Sequence, residues 1–144
     1  MNQINGFFGE YGWLSNFWPS TVIIQNWTFP SAEHAFQAAK SLDADDIRRV
    51  RDCPSPGYAK RMGRQITLRP DWEEIKLDAM AQILAAKFMN YELRAKLIMT
   101  GTAELIEQNT WNDTFWGVAF GRGQNHLGRL LMELRANITK EHQA

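Results

Sequence analysis

Residues 29–40 read FPSAEHAFQAAK, and this stretch commits the chain to a helix with a polar line along it. Pro30 disfavours helix upstream, and Ser31 offers a hydroxyl oxygen to an orphan backbone N–H of a first turn, so a helix starts here. At 3.6 residues per turn, Glu33, Gln37 and Lys40 project from one side, while Ala32, Ala35, Phe36 and Ala39 cover the rest. Glu33 and Lys40 lie about 10 Å apart along the axis. Helical side chains lean toward the N-terminus, so Lys40 reaches back toward Glu33. A charged line is most often the wet face of a surface helix. Here the Ala-rich, apolar remainder argues for burial on several sides, and the line then requires water or a cleft.

Upstream, TVIIQNWTF at 21–29 reads as two short strands around a Gln25-Asn26 turn, a hairpin leading into the helix. Downstream, helices are expected at about 43–52, with acids first and arginines last as the helix dipole favours, and at about 55–64, opened by Ser55-Pro56. The longest runs from Asp71 to about Met89, with Trp72, Ile75, Ala79, Met80, Ile83 and Phe88 near one face, which reads as core. A helix over 91–100 stops at Gly101, ELIEQ at 104–108 reads as strand, and the last helix covers about 124–140. Leu127, Leu130, Leu131, Leu134 and Ile138 give that last helix its buried stripe. No repeat, low-complexity linker or domain boundary interrupts this order. The expectation is a single α+β domain over residues 1–144, compact and helix-rich, with a small N-terminal hairpin and short strands.

A chain of 144 residues with 44% hydrophobic content has the material for one domain with a proper core. Sixteen basic and sixteen acidic residues cancel, so any attraction to nucleic acid or anionic membranes must be local. From Arg48 to Arg69 the balance is one-sided: Arg48, Arg49, Arg51, Lys60, Arg61, Arg64 and Arg69 face Asp52 alone. Arginine-rich segments suit phosphates, although a charge run is more commonly a solvated face. Arg61 and Arg64, three apart, share a face if helix continues through both, and could then clamp a phosphate. The lone cysteine, Cys53, excludes an internal disulfide and fits a reducing compartment. His34, His126 and His142 are too scattered for a zinc motif, so no metal is expected. No apolar run approaches the roughly 20 residues that span a bilayer, and the N-terminus lacks a signal-like core, so a cytoplasmic location with no membrane partner is expected.

Residues 110–125, TWNDTFWGVAFGRGQN, combine three glycines, heavy aromatic bulk and one acid. Such a loop is costly to order unless it forms a site. Asp113 capping a turn and Trp116 plugging the core are the commoner fates; the functional alternative has Trp116 stacking on a ring while Asp113 binds a hydroxyl.

Taken together, LSNF at 14–17, the W-x-F-P-S-A-E-H-x-F-Q-A-x-K run at 27–40, MGR at 62–64, N-D-x-x-W-G at 112–117 and G-x-N-x-L-G-x-L-L-M-x-x-R at 123–135 resemble the NADAR family, which includes the YbiA-like N-glycosidases. The resemblance covers nearly the whole chain in order. It implies a helix-rich α+β domain that hydrolyses N-glycosidic bonds with neither metal nor redox cofactor. It also implies two substrate classes: phosphoribosylamino-pyrimidine intermediates of riboflavin synthesis, and ADP-ribosylated guanine in nucleic acid. By motif, Glu33 and Lys40 match the family's catalytic glutamate and lysine, with Asp113 as its late acid. Asn16, Phe17, Trp116 and Gly117 fall on substrate-facing positions, and Gln37, Arg61, Arg64 and Asn125 complete the expected binding set. The glycine-rich approach to the last helix is shorter in recognisable glycines here.

Breaking a C–N bond at an anomeric carbon requires a proton for a poor leaving group or the ring oxygen, and something to meet the electron-poor carbon. Glu33 can supply the proton. If the sugar ring opens, a lysine amine of lowered pKa can form an imine at C1 before water releases the sugar, and Lys40 is the candidate. In the direct alternative Glu33 activates water and Lys40 only binds phosphate or steadies the carboxylate. Two non-enzymatic readings remain beside these: a reader of ADP-ribose or another nucleotide, and an interaction domain whose aromatics are all core. Oligomeric state is left open by the sequence.

Overall fold

The protein is described by a computed structural model over residues 2–143. In chain order the elements are β1 (Gln3–Asn5), a 3-10 helix (Gly9–Leu14), β2 (Pro19–Ile24), β3 (Trp27–Ser31), α1 (Ala32–Ala38), α2 (Ala44–Arg51), α3 (Pro56–Met62), α4 (Trp72–Lys87), α5 (Tyr91–Met99), β4 (Glu104–Ile106), β5 (Gln108–Asn109), β6 (Val118–Ala119) and α6 (His126–Gln143). The class is α+β, helix-rich, with a hairpin near the N-terminus and strands of two to six residues. The chain divides into two compact units, residues 16–87 and residues 1–15 with 88–144.

In the unit of residues 16–87, β2 and β3 form the expected antiparallel hairpin, with Val22 opposite Phe29 and Ile24 opposite Trp27. Gln25 turns the chain with a positive φ of 55°, a conformation that a two-residue hairpin connection demands. The strand runs directly into α1, where Ser31 is the N-cap and its Oγ accepts from the His34 N–H at 3.1 Å. Ser31 Oγ also lies 2.7 Å from His34 Nδ1, and His34 Nε2 lies 3.0 Å from the Cys53 carbonyl. This buried histidine thus ties the start of α1 to the end of α2. Every residue of α1 is buried, with Phe36 against Trp72 of α4 at 5.2 Å between ring centroids.

Two helix ends fall short of expectation. α1 stops at Ala38, with Ala39 as its C-cap, so Lys40 sits in the following turn. α3 stops at Met62 and Gly63 caps it, which takes Arg64 off the helix and removes the shared helical face expected for Arg61 and Arg64.

In the other unit, β1 pairs in parallel with β4, placing Ile4 beside Leu105. Both are buried against a core that includes Leu93, Leu97, Leu127, Leu130, Leu131 and Ile138. Of the stripe expected on α6, only Leu134 stays half-buried. The strand expected at 104–108 is broken at Glu107, so that β4 pairs with β1 while β5 pairs in parallel with β6. No helix of the described residues is long and apolar enough to cross a membrane.

Candidate active site

The polar line on α1 is buried. Glu33 is 7% exposed and Gln37 4%, which overturns the wet-face alternative for this helix. Glu33 sits in the first turn, where the helix dipole favours a carboxylate. Its N–H donates to the Asn16 carbonyl at 3.0 Å, and one carboxylate oxygen accepts from Gln37 Nε2 at 2.7 Å. Asn16 in turn donates from Nδ2 to Met80 Sδ at 3.4 Å. The Asn16 Oδ1 and Gln37 Oε1 atoms are both buried without a hydrogen-bond partner.

Lys40 is anchored by its backbone, whose carbonyl accepts from the Arg69 N–H at 2.7 Å. Its Nζ leans back over the Phe36 ring, 5.7 Å from the centroid. Burial lowers the Lys40 pKa most; Glu33 opposes that by stabilising the ammonium, and the charges of Arg64 and Lys60 add to the lowering. The charges of Glu33, Lys60 and Arg64 thus all bear on Lys40. Arg61 is turned to a different task, its guanidinium 4.4 Å from the centroid of the Tyr58 ring. Phe17 is 43% exposed on the segment that opens this unit.

Asp113, Trp116, Gly117 and Asn125 lie in the other unit, on the loop before α6. Asp113 Oδ1 accepts from the N–H groups of Phe115 and Trp116 at 3.1 and 2.9 Å, a turn cap of the ordinary kind. Asn109 braces the same turn, accepting from the Asp113 N–H at 3.0 Å and donating to its carbonyl at 2.9 Å. Trp116 meets Phe115 edge-on at 4.8 Å and remains half-buried. A Cβ on Gly117 would strike the Glu107 backbone carbonyl, so glycine there permits the close approach of β5 and β6. Asn125, with φ of 53°, accepts from the Glu107 N–H and donates to the Leu105 carbonyl, both at 2.9 Å. Its amide is thereby committed to the backbone of β4 and the residue after it, a structural use that competes with the binding role implied for it.

Lys87 was missed by the sequence reading. It is fully buried on the face of α4 that carries Met80, Ile83 and Leu84, and burial pushes its pKa down to about 7. Its spacing of seven from Met80 was the available signal. Gly63 was quoted within MGR but given no task; the contact it makes with Gln37 is described below. A cavity of about 560 Å³ opens in the 16–87 unit, lined by Ala35, Ala38 and Ala39, the side of α1 away from Glu33, together with Trp27 and Ile75. None of the expected site residues lines it. Among the described residues, no group of three or more His, Cys, Asp or Glu could hold a metal ion.

Residues 6–139 match the model of the NADAR domain. The chain belongs to the NADAR domain family. It is 45% identical over 138 residues to the N-glycosidase YbiA of Escherichia coli (strain K12), covering 92% of this chain and 84% of that one. An N-glycosidase of Nostoc punctiforme is 37% identical over 89% of this chain and 86% of its own length. A riboflavin biosynthesis protein of Vibrio vulnificus is 35% identical over 92% of this chain but only 37% of its own length. The NMR structure of E. coli YbiA superposes with a TM-score of 0.88 at 41% identity, covering 99% of this chain and 88% of that one. The fold expected of a NADAR chain is therefore the fold observed.

Proposed function

We propose that this NADAR protein is an N-glycosidase that hydrolyses the bond between C1 of a phosphorylated ribose or ADP-ribose and the amine nitrogen of a base or pyrimidine. Hydrolysis of N-glycosyl bonds as a class follows from family membership and from N-glycosidase relatives that cover most of the chain. The observation that carries the finer reading is the charge cluster on α1 and the turn after it: a buried carboxylate held by Gln37, and a lysine in the following turn whose pKa is lowered chiefly by burial, against the pull of Glu33, and further by Arg64 and Lys60. A carboxylate and a partly desolvated amine are the two groups that imine-forming glycoside cleavage requires. The flanking cations suit a sugar phosphate or pyrophosphate.

In this mechanism Glu33 protonates the ring oxygen and the C1–O bond opens, leaving C1 double-bonded to the amine nitrogen of the substrate. The free amine of Lys40 adds to C1, and the substrate nitrogen departs with a proton. Water then adds to the Lys40 imine and expels the lysine, releasing the sugar as an aldehyde that recloses. The sum is one C–N bond broken and one water consumed. Asp113 and Trp116 enter only as the hydroxyl-binding and stacking positions implied by the family motif.

The test incubates the purified protein with ADP-ribosylated guanine oligonucleotide and, separately, with phosphoribosylamino-pyrimidines, and measures released sugar. Glu33→Gln keeps shape and loses the titratable proton, so turnover should fall by about two orders of magnitude or more at unchanged circular dichroism. Borohydride added during turnover should trap a sugar on the peptide containing Lys40, and Lys40→Arg should abolish both adduct and most activity. Full activity in Lys40→Arg without any adduct would favour the direct route through water activated by Glu33. Tight binding of ADP-ribose with no turnover of either substrate would favour the nucleotide-reader reading.

A further inference from the structure

Gly63 is the C-cap of α3, with φ of −59° and ψ of −20°, values that any residue adopts. Its backbone therefore gives no reason for glycine, and an alanine there would restrict the unfolded chain and favour folding. Its surroundings give a reason. A Cβ at position 63 would collide with Gln37 Oε1 and stand 2.8 Å from Gln37 Cδ and 3.2 Å from Gln37 Cβ. The Gln37 amide thus lies directly over the glycine. Its nitrogen end donates to Glu33 at 2.7 Å, and its oxygen end, packed toward Gly63, has no hydrogen-bond partner although it is buried.

These facts have one explanation in common. Gln37 presents its NH2 to Glu33, an orientation that leaves its carbonyl on the far side. Leaving a buried carbonyl unpartnered is unfavourable and persists only where something else requires the orientation. We propose that Gly63 is a positioning residue for the active site: the missing side chain makes room for the Gln37 amide in the one orientation that aims its N–H at Glu33. The inference rests on Glu33 as the proton-handling group of the proposed reaction. It adds a residue outside α1 that sets that group's hydrogen bonding. The overlap is with the amide itself, whereas the contact to Gln37 Cβ is only tight. A methyl at position 63 would therefore push the amide tip aside, which withdraws Nε2 from Glu33.

The experiment is a double-mutant cycle of Gly63→Ala and Gln37→Ala in the full chain, read by thermal stability and by kinetics. In the wild-type background Gly63→Ala should lower the melting temperature; in the Gln37→Ala background, where the amide is gone and only the 3.2 Å contact to Cβ remains, most of that loss should disappear. That relief does not depend on any substrate and survives if the N-glycosidase reading fails. Kinetically, Gly63→Ala should lower kcat about tenfold or more with KM changed by less than about threefold, since the loss is in the reacting group and not in substrate binding. The alkaline limb of its kcat/KM profile should move to higher pH, because the proposed reaction needs Glu33 protonated and a carboxylate deprived of an N–H donor holds its proton more firmly. With Gln37→Ala already present, Gly63→Ala should add no further kinetic loss. Additive effects on stability and rate, or a Gly63→Ala enzyme with the wild-type pH profile, would overturn the proposal. If Gly63→Ala alone does not fold, the double variant must fold; its failure to do so overturns it as well.

Discussion

Lysine buried among Met80, Ile83 and Leu84 is an expensive choice, because an aliphatic residue of similar length would pack the same space without desolvating a charge. Lys87 answers by holding its proton weakly, with a pKa pushed down to about 7 by burial. The sign of the pH effect follows. Between about pH 7 and pH 10 the folded protein has shed this proton while the unfolded chain keeps it near the ordinary lysine value, so the unfolded state binds more protons and stability rises with pH. The rise should be on the order of 3 kcal/mol across that window. Urea unfolding of wild type and Lys87→Met from pH 7 to 10 measures it as the difference in slope. A wild-type profile as flat as that of the Met variant would show that Lys87 keeps an ordinary pKa. Lys40 is lowered by burial too, but Glu33 pulls it back, so the two lysines are not equivalent.

Elements are joined here by a few buried polar residues as much as by apolar contact. Asp46, in the first turn of α2, accepts from Ser41 Oγ at 2.9 Å, from the Thr67 N–H at 3.1 Å and from Arg49 Nη2 at 2.6 Å. It thereby holds the segment after α1, α2 and the irregular run before α4 at one point. The Thr67 N–H is the largest cause of its lowered pKa, with Ser41 and Arg49 contributing against the cost of burial. A carboxylate whose folded pKa is depressed stabilises the fold above its unfolded pKa, and that stability is lost as pH falls through the folded value. Acid unfolding should therefore begin below about pH 4. Asp46→Asn should lower the melting temperature at pH 7 and have a progressively smaller effect toward pH 2, tracked by circular dichroism. An equal loss at both pH values would assign the residue a packing role instead. The elements themselves were legible: Ser31 and Ser55, which the sequence marks as helix openings, each accept from a first-turn N–H, and Asp43 and Asn90, not singled out in the sequence, cap α2 and α5 in the same way. The ends were less so. α1 and α3 stop one or two residues early because caps and turns after them are set by contacts elsewhere, such as the Lys40 carbonyl accepting from Arg69.

At the scale of the whole molecule, equal numbers of acidic and basic residues leave no net charge to draw in an anionic substrate from a distance. Charge dependence must then come from local cations, and Arg64 and Lys60 are those that act on Lys40. For a phosphorylated substrate KM should rise with salt, and Arg64→Ala should raise KM several-fold at low salt while flattening that dependence and changing kcat less. For the dephosphorylated analogue the variant and wild type should differ little. Equal losses for both substrates would make Arg64 a structural residue. Arg61 serves as the internal comparison: stacked on an exposed Tyr58, it should show a smaller effect.

By itself the sequence determined what depends on neighbours a few residues away. The hairpin around Gln25, the N-cap at Ser31, the alignment of Glu33 with Gln37 along one side of α1, and the family motifs are all local patterns, and local geometry follows from the backbone periods of helix and strand. Only the tertiary structure decided what depends on residues far apart in the chain. The parallel pairing of β1 with β4 joins residues about a hundred positions apart, and no three-residue strand announces such a partner. Likewise, whether the polar line of α1 was wet or buried turned on how α3 and α4 cover it. Burial is a property of the packed chain, and with it came the lowered pKa of Lys40, the unexpected Lys87 and the place of Gly63 beneath the Gln37 amide.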